Sequence, residues 1–143
     1  MGAYVADAAV KSLIKAGKAP KRSKVVILGL TFKENCPDVR NSKVMDIVER
    51  LREYEIAPLV SDPWADKDEA KRFYNVDLVP LENTSDADCV IVAVAHAEFT
   101  SLGLDGVMGL FADSPASEKI LVDVKGIYPV SELRRAGVSY WRL

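Results

Sequence analysis

The residues best suited to chemistry lie in one polar stretch, residues 29–42, which carries Lys33 and Arg40. An apolar run, residues 25–28, precedes this stretch, and an amphipathic run that starts at Lys43 follows it. The order predicts a strand, a long loop and a helix. In a parallel α/β sheet such a loop lies at the carboxyl end of its strand and faces a helix N-terminus, which is where ligands bind. Two cations beside the positive end of a helix therefore predict a site for a phosphate or a diphosphate.

A tight dinucleotide-binding turn does not fit this loop. That fingerprint needs three glycines at fixed offsets, so that the backbone can approach a pyrophosphate closely. Only Gly29 is present here, Thr31, Phe32 and Glu34 occupy the later positions, and the loop is too long for so tight a turn. We therefore expect no NAD-binding residue in this chain.

The loop instead carries side chains that could contact a ligand. Arg40 can place its guanidinium fork on a phosphate or on a ribose hydroxyl, and Lys33 supplies a point charge. Phe32 could cover a base. The alternative is a solvated loop in which these cations pair with its acidic residues, Glu34 and Asp38.

Two further polar residues follow predicted strands. Asp62 ends the second strand, where a ribose-binding acid would lie, but it is further along than the roughly 20 residues that such a site expects. We therefore predict that Asp62 forms a turn before Pro63. His96 lies near Glu98, so an acid–base pair is conceivable, but the favoured interpretation is a strand-end residue that fixes a turn.

The cysteines and the acidic residues predict no catalytic or metal-binding site. Cys36 lies in the polar loop beside two cations, but no histidine neighbours it in sequence, and Cys89 is interpreted as a small core residue. A single histidine cannot complete a usual zinc set. The acidic turn at 85–88 is interpreted as solvated.

The elements that must position these residues follow from hydrophobic periodicity and from turn residues. Strands alternate with helices, which predicts a doubly wound, mostly parallel Rossmann-like α/β sheet with helices on both faces, preceded by an N-terminal helix. Asn41 or Ser42 is the predicted N-cap of the second helix. The strands are expected at 24–30, 57–61, 89–94, 120–124 and 138–141, with a minor strand at 76–79, and the helices at 3–16, 42–54, 66–73, 97–112 (broken at Gly103 and Gly106) and 130–136.

Composition narrows the class of protein. The chain has 143 residues, which is enough for one domain with a core. Its net charge of −2 shows no basic excess, which argues against nucleic-acid binding. No apolar stretch approaches the roughly 18 residues of a membrane span, so no membrane partner is expected. Two cysteines without a disulfide pattern predict a reducing cytoplasm.

The stretch Gly-Leu-Thr-Phe-Lys-Glu-Asn-Cys-Pro-Asp-Val-Arg-Asn-Ser-Lys-Val, which begins at Gly29, resembles the opening of the C-terminal domain of the UDP-glucose/GDP-mannose dehydrogenase family. It is most similar to the branch that oxidises UDP-N-acetylhexosamines (glucosamine or galactosamine configuration) for surface polysaccharides. The resemblance covers nearly the whole chain and includes the segments Met1–Ala6, Ser61–Trp64, Val92–Phe99, Asp123–Gly126 and Tyr140–Leu143.

The resemblance implies a function and a division of the chain. In the family an N-terminal domain binds NAD, and the C-terminal domain holds UDP. A central helical region carries the dimer contact and, just upstream of its long helix, the catalytic cysteine segment. The C6 alcohol of a UDP-sugar becomes a carboxylate in two hydride transfers. This chain resembles only the last part, so we expect residues 1–20 to be the end of the central helix with its connector, residues 21–143 to be the UDP-binding domain, and the chain alone to be inactive.

The resemblance also assigns binding residues. Arg40 and Lys33 match the arginine and the lysine of the family's loop, next to Phe32, and Lys125 ends a strand on the same edge of the sheet, where it could reach the ligand or remain a turn charge. The implied partners are a UDP-sugar, the other domains of the enzyme and a second copy of the chain. The alternative function is a free-standing nucleotide-binding or regulatory module. The N-terminal helix, which would lose some of its neighbours, is expected to dock on its own domain, to fray or to mediate a dimer.

Overall fold

The apolar runs of the sequence form one sheet of five parallel strands within residues 2–143, the part of the chain that this computed structural model describes. The predicted doubly wound α/β fold is confirmed, and every strand pair in the sheet is parallel. The strands are β1 Val25–Leu28, β2 Leu59–Ser61, β3 Cys89–Val92, β4 Ile120–Asp123 and β5 Ser139–Arg142, and the helices are α1 Gly2–Lys15, α2 Val44–Glu53, α3 Lys67–Tyr74, α4 Ala97–Met108 and α5 Val130–Ala136.

The strand order creates a crevice. The strands lie side by side in the order β2-β1-β3-β4-β5, so the chain moves outward from β1 to β2 and then returns to the other side of β1. The connections that leave the carboxyl ends of β1 and β3 therefore diverge to opposite sides. In open α/β sheets this point, where the order reverses, is the usual ligand site.

Alternate side chains of the strands pack into two hydrophobic layers, one on each face of the sheet. Val25 and Ile27 point into the layer that includes α1 and α2, whereas Val26 and Leu28 point into the layer that includes α4 and α5. Ala70 of α3 joins the first layer beside β2. The inner strands are buried on both faces, as their continuous apolar sequence predicts.

The N-terminal helix docks on its own domain, which was one of three outcomes expected from the sequence. Its apolar face is buried against α2 and against β4 and β5. Asp7 of α1 accepts a hydrogen bond from Arg50 Nε at 2.9 Å and another from the Tyr54 hydroxyl at 2.7 Å. These bonds tie α1 to α2 at their solvent-facing rim.

Three local predictions were wrong. The N-cap position of α2 is Lys43 in place of Asn41 or Ser42, and the Ser42 side chain is turned toward the Leu30 carbonyl, to which its hydroxyl donates at 2.5 Å. Gly106 does not break α4, since only Gly103 departs from helical geometry, with φ of 67°. Residues 76–79 contribute one isolated bridge, between Leu78 and Val60, in place of a strand.

Gly29 is required where β1 passes into the loop. Its φ is 102°, which side chains rarely adopt, and a Cβ there would lie 2.5 Å from the Cβ of Val94. The close approach of β1 to the segment that follows β3 therefore depends on glycine at this position.

Candidate functional site

The carboxyl ends of the parallel strands bring residues from distant parts of the sequence to one edge of the sheet. The β1–α2 loop (residues 29–43) leaves β1 at this edge. Asp62 follows β2, His96 lies beyond β3, and Lys125 follows β4. The edge therefore combines the predicted loop with three other segments.

Asp62 is a buried carboxylate that holds the start of the β1–α2 loop. Its Oδ2 accepts the backbone N–H groups of Leu30 at 2.6 Å and Thr31 at 3.1 Å. Its Oδ1 accepts the N–H groups of Trp64 at 2.7 Å and Ala65 at 3.0 Å. The expected turn is present, but the carboxylate also joins β2 to the loop, which the sequence did not predict.

The protonation state of Asp62 follows from its surroundings. Burial alone would raise the pKa of this carboxyl, but the hydrogen bonds from His96 and from the N–H groups of Leu30 and Trp64 outweigh burial and hold the pKa below its ordinary value of 3.8. Asp62 is therefore an anion at neutral pH, and its acceptor sites are occupied by protein donors. It has no capacity left for a ribose.

His96 is fully buried beside Asp62. Its Nε2 lies 3.0 Å from Asp62 Oδ2 and 3.1 Å from Thr31 Oγ1, and its Nδ1 accepts the backbone N–H of Asn35 at 2.9 Å. The prediction that His96 fixes a turn is confirmed. It does not pair with Glu98, whose carboxylate instead accepts from Trp64 Nε1 at 2.9 Å.

Phe32 and Lys33 form the exposed crest of the β1–α2 loop. Phe32 is 53% exposed, and its backbone N–H donates to the Asp38 carbonyl at 2.8 Å. Lys33 is also exposed, and its carbonyl accepts from Thr31 Oγ1 at 3.0 Å. The backbone of the crest is thus held from inside while both side chains face outward.

Arg40 lies on the α3 side of the same loop. Its Nε contacts Asp38 Oδ1 at 3.1 Å, and this pair lowers the pKa of Asp38 and raises that of Arg40. The paired-loop alternative is therefore correct for these two residues. The Arg40 side chain remains 72% exposed and borders a cavity of about 460 Å³ that Arg72 and Phe73 of α3 also line.

Lys125 borders a different cavity. This cavity, of about 240 Å³, lies between the N-terminus of α2 and the ends of β3 and β4, and Lys43 and Leu143 also line it. The structure therefore places Arg40 and Lys125 beside separate cavities. The sequence interpretation assigned no binding role to Lys43. A signal was available, because a helix N-terminus favours acidic residues and this one carries a lysine.

A second buried carboxylate supports Lys125. Asp123 accepts the backbone N–H groups of Ile127 and Tyr128, each at 3.0 Å, and Arg142 donates to the Gly126 carbonyl at 3.3 Å. The turn that carries Lys125 is thus held by a strand-end aspartate, as the β1–α2 loop is held by Asp62.

Comparison with known proteins identifies the domain. Residues 26–130 match the family model described as the UDP-glucose/GDP-mannose dehydrogenase family, UDP binding domain. The chain belongs to this family. The match confirms the resemblance seen in the sequence of the β1–α2 loop.

Two relatives of this chain within the family are UDP-N-acetyl-D-glucosamine 6-dehydrogenases. The protein from Salmonella typhi is 38% identical over 92% of this chain and 30% of the relative. The protein from Pseudomonas aeruginosa is 41% identical over 87% of this chain and 29% of the relative. The chain therefore spans about 30% of the length of these curated relatives.

The fold is shared with solved structures. The NDP-N-acetyl-D-galactosaminuronic acid dehydrogenase from Methanosarcina mazei superposes with a TM-score of 0.83, at 22% identity, over 99% of this chain and 28% of the other. At this identity the similarity establishes the fold alone.

The two cysteines that the sequence analysis considered lie in the loop and in the core of this family domain. Cys36 is partly exposed in the loop, whereas Cys89 is buried in the core, as expected, and burial raises the pKa of its thiol. Residues 2–143 contain no group of three or more metal-binding side chains arranged to hold an ion. Over the same residues, every helix is too short or too polar to cross a membrane.

Proposed function

We propose that this chain binds the UDP moiety of a UDP-sugar at the carboxyl edge of its sheet, as the C-terminal domain of an NAD-dependent UDP-sugar 6-dehydrogenase. The observation that carries the proposal is the β1–α2 loop, which presents Phe32, Lys33 and Arg40 at the point where the strand order reverses. Membership of the UDP-binding domain family supports the choice of nucleotide.

Each proposed contact uses the chemistry of its side chain. Lys33 places an ammonium group beside the diphosphate, and the Arg40 fork binds a phosphate or a ribose hydroxyl. Lys125 contacts the ligand where the ligand extends into the separate cavity that Lys125 borders. Phe32 covers one face of the uracil, for which its exposed ring is available. Lys43 adds a cation beside Lys125.

The whole enzyme would oxidise the C6 alcohol of the sugar to a carboxylate through two hydride transfers. NAD would be bound by another domain, since the β1–α2 loop of this chain has a single glycine and a start that is fixed by Asp62. Residues 21–143 would then form the UDP-binding domain, and residues 1–20 would end the central helix, Met1 lying outside the described residues. The N-acetylhexosamine branch and a cytoplasmic location are part of the proposal.

A calorimetric titration of the 143-residue chain tests this function. We expect UDP to bind more tightly than UMP, because the second phosphate gains contacts with the loop cations, and we expect NAD not to bind. Chemical-shift changes on UDP addition should centre on residues 31–40. Binding of NAD in preference to UDP, or shift changes confined to the α4–α5 face, would contradict the proposal.

A homodimer is the second part of the proposed assembly. Two large hydrophobic side chains of α1, Ile14 and Tyr4, are 58% and 62% exposed, whereas Val5, Val10 and Leu13 of the same helix are buried in the domain. We expect light scattering to show dimers at high concentration and Ile14→Glu to shift the chain toward monomers, because the substitution places a charge on an apolar contact. Monomers at every concentration of the wild-type chain would rule out this dimer.

A further inference from the structure

The imidazole of His96 has one protonation pattern that satisfies its contacts. The backbone N–H of Asn35 can only donate, so the Nδ1 atom that it contacts at 2.9 Å must be unprotonated. The ring proton of the neutral imidazole is then on Nε2, which faces Asp62 Oδ2 at 3.0 Å and Thr31 Oγ1 at 3.1 Å. Since Thr31 Oγ1 already donates to the Lys33 carbonyl, it also accepts from Nε2. Each polar atom in this cluster has a matching partner.

The same imidazole contacts both ends of a short span of the β1–α2 loop. Thr31 begins the span, and its N–H and hydroxyl are bound by Asp62 and His96. Asn35 ends the span in a left-handed conformation, with φ of 54°, and its side-chain oxygen accepts the N–H of Ala97 in the first turn of α4. Asn35 is thus held through its backbone by His96 and through its side chain by α4.

The residues between these two anchors are exposed. They are Phe32, Lys33 and Glu34, and their side chains project from the surface while the anchors at residues 31 and 35 are tied to the buried cluster. A three-residue span with both ends fixed has little freedom to change its backbone, so the directions in which its side chains leave the backbone are set before a ligand binds.

We propose that His96 is a positioning residue for ligand binding: its neutral ring, oriented by Asp62, holds residues 31–35 in the conformation that presents Phe32 and Lys33 to the nucleotide. This inference rests on the proposed function of the loop. His96 touches no ligand in this scheme, and it acts through the backbone of Asn35 and the hydroxyl of Thr31. A purely structural histidine would stabilise the core without controlling the order of the loop.

Two substitutions separate the two sides of the ring. In His96→Asn the carboxamide oxygen lies near the position of Nδ1 and can accept the Asn35 N–H. In His96→Gln the carboxamide nitrogen reaches toward the position of Nε2 and can donate to Asp62, but the Asn35 N–H loses its acceptor. Both variants remove the imidazole, so a general loss of core packing affects both.

The first measurement needs no ligand. We expect the nitrogen NMR spectrum of wild-type His96 to show a neutral ring protonated on Nε2. We also expect the Asn35 amide to exchange with solvent about tenfold faster in His96→Gln than in His96→Asn, because only the former loses its hydrogen bond. The amide of Asn75 is the control, since it has the same left-handed conformation but bonds to Lys71 within α3.

The second measurement is UDP affinity by calorimetry. We expect UDP to bind about tenfold more weakly to His96→Gln than to His96→Asn, in parallel with amide exchange. A ring protonated on Nδ1, equal exchange of Asn35 in both variants, or faster exchange without weaker binding would overturn the positioning role. A wild-type chain that does not bind UDP, with the ring and exchange results as expected, would refute the proposed function and leave His96 as the residue that orders the loop.

Discussion

Asp62→Ala is expected to lower the free energy of unfolding of this chain by about 3–5 kcal/mol, the cost of breaking a buried charged network. Its carboxylate accepts from four backbone N–H groups and faces His96, and the side chain is fully buried. Removal leaves the N–H groups of Leu30 and Thr31 without an acceptor in a site closed to water. Urea unfolding followed by circular dichroism measures the change.

Asp66→Ala is the matched control for this experiment. Asp66 is an exposed aspartate four positions further on, and its Oδ1 accepts the Glu69 N–H as the N-cap of α3. Loss of such a cap costs about 1 kcal/mol. If Asp62→Ala were no more destabilising than Asp66→Ala, the carboxylate would not be an anchor of the sheet edge.

The pKa of Asp62 predicts a pH dependence with a defined sign. Because this pKa is lower in the folded state than its ordinary value of 3.8, the charged carboxylate adds stability above that value, and the contribution disappears as the pH falls through the folded-state pKa. The difference in stability between the wild type and Asp62→Asn should therefore shrink below about pH 4. A difference that grows on acidification would contradict the assigned charge.

Arg40→Ala is expected to weaken UDP binding by about 10- to 100-fold, because a charge-assisted contact to a phosphate is lost. The substitution should leave the unfolding free energy nearly unchanged, since the Arg40 side chain is 72% exposed and its pair with Asp38 lies on the surface. Arg40→Lys should bind with intermediate affinity, because it keeps the charge but loses the planar fork. Calorimetric titration with UDP measures each affinity.

Two further variants sharpen this test. Arg134→Ala removes an exposed arginine from α5, on the opposite layer, and should bind UDP like the wild type. Asp38→Asn removes the competing carboxylate and should strengthen UDP binding, because Arg40 is then free to turn to the phosphate. Equal affinities for Arg40→Ala and Arg134→Ala would remove Arg40 from the site.

Much of the architecture could be predicted from the sequence because it depends on local patterns. The runs that begin at Val25, Cys89 and Ile120 are short and apolar, which is typical of strands covered on both faces, and they form the central strands of the sheet. The β1–α2 loop was recognisable for the same reason, since its cations and its similarity to the family lie within one continuous stretch, from Gly29 to Val44.

The internal support of the loop was decided by the tertiary structure. His96 and Asp62 are 34 positions apart, and His96 and Asn35 are 61 apart, so no local pattern relates them. The N-cap of α2 was mispredicted for a similar reason, because Ser42 bonds to the Leu30 carbonyl across the loop.

The sequence by itself determined the family, the order of the five strands and helices, and the loop that we propose as the nucleotide site. Only the fold determined that Arg40 and Lys125 border separate cavities, that Lys43 lies beside Lys125, and that a buried histidine and aspartate hold the loop. The physical reason is that periodicity reports which face of an element is apolar, whereas the partners of a polar group depend on which strand ends meet at the edge of the sheet.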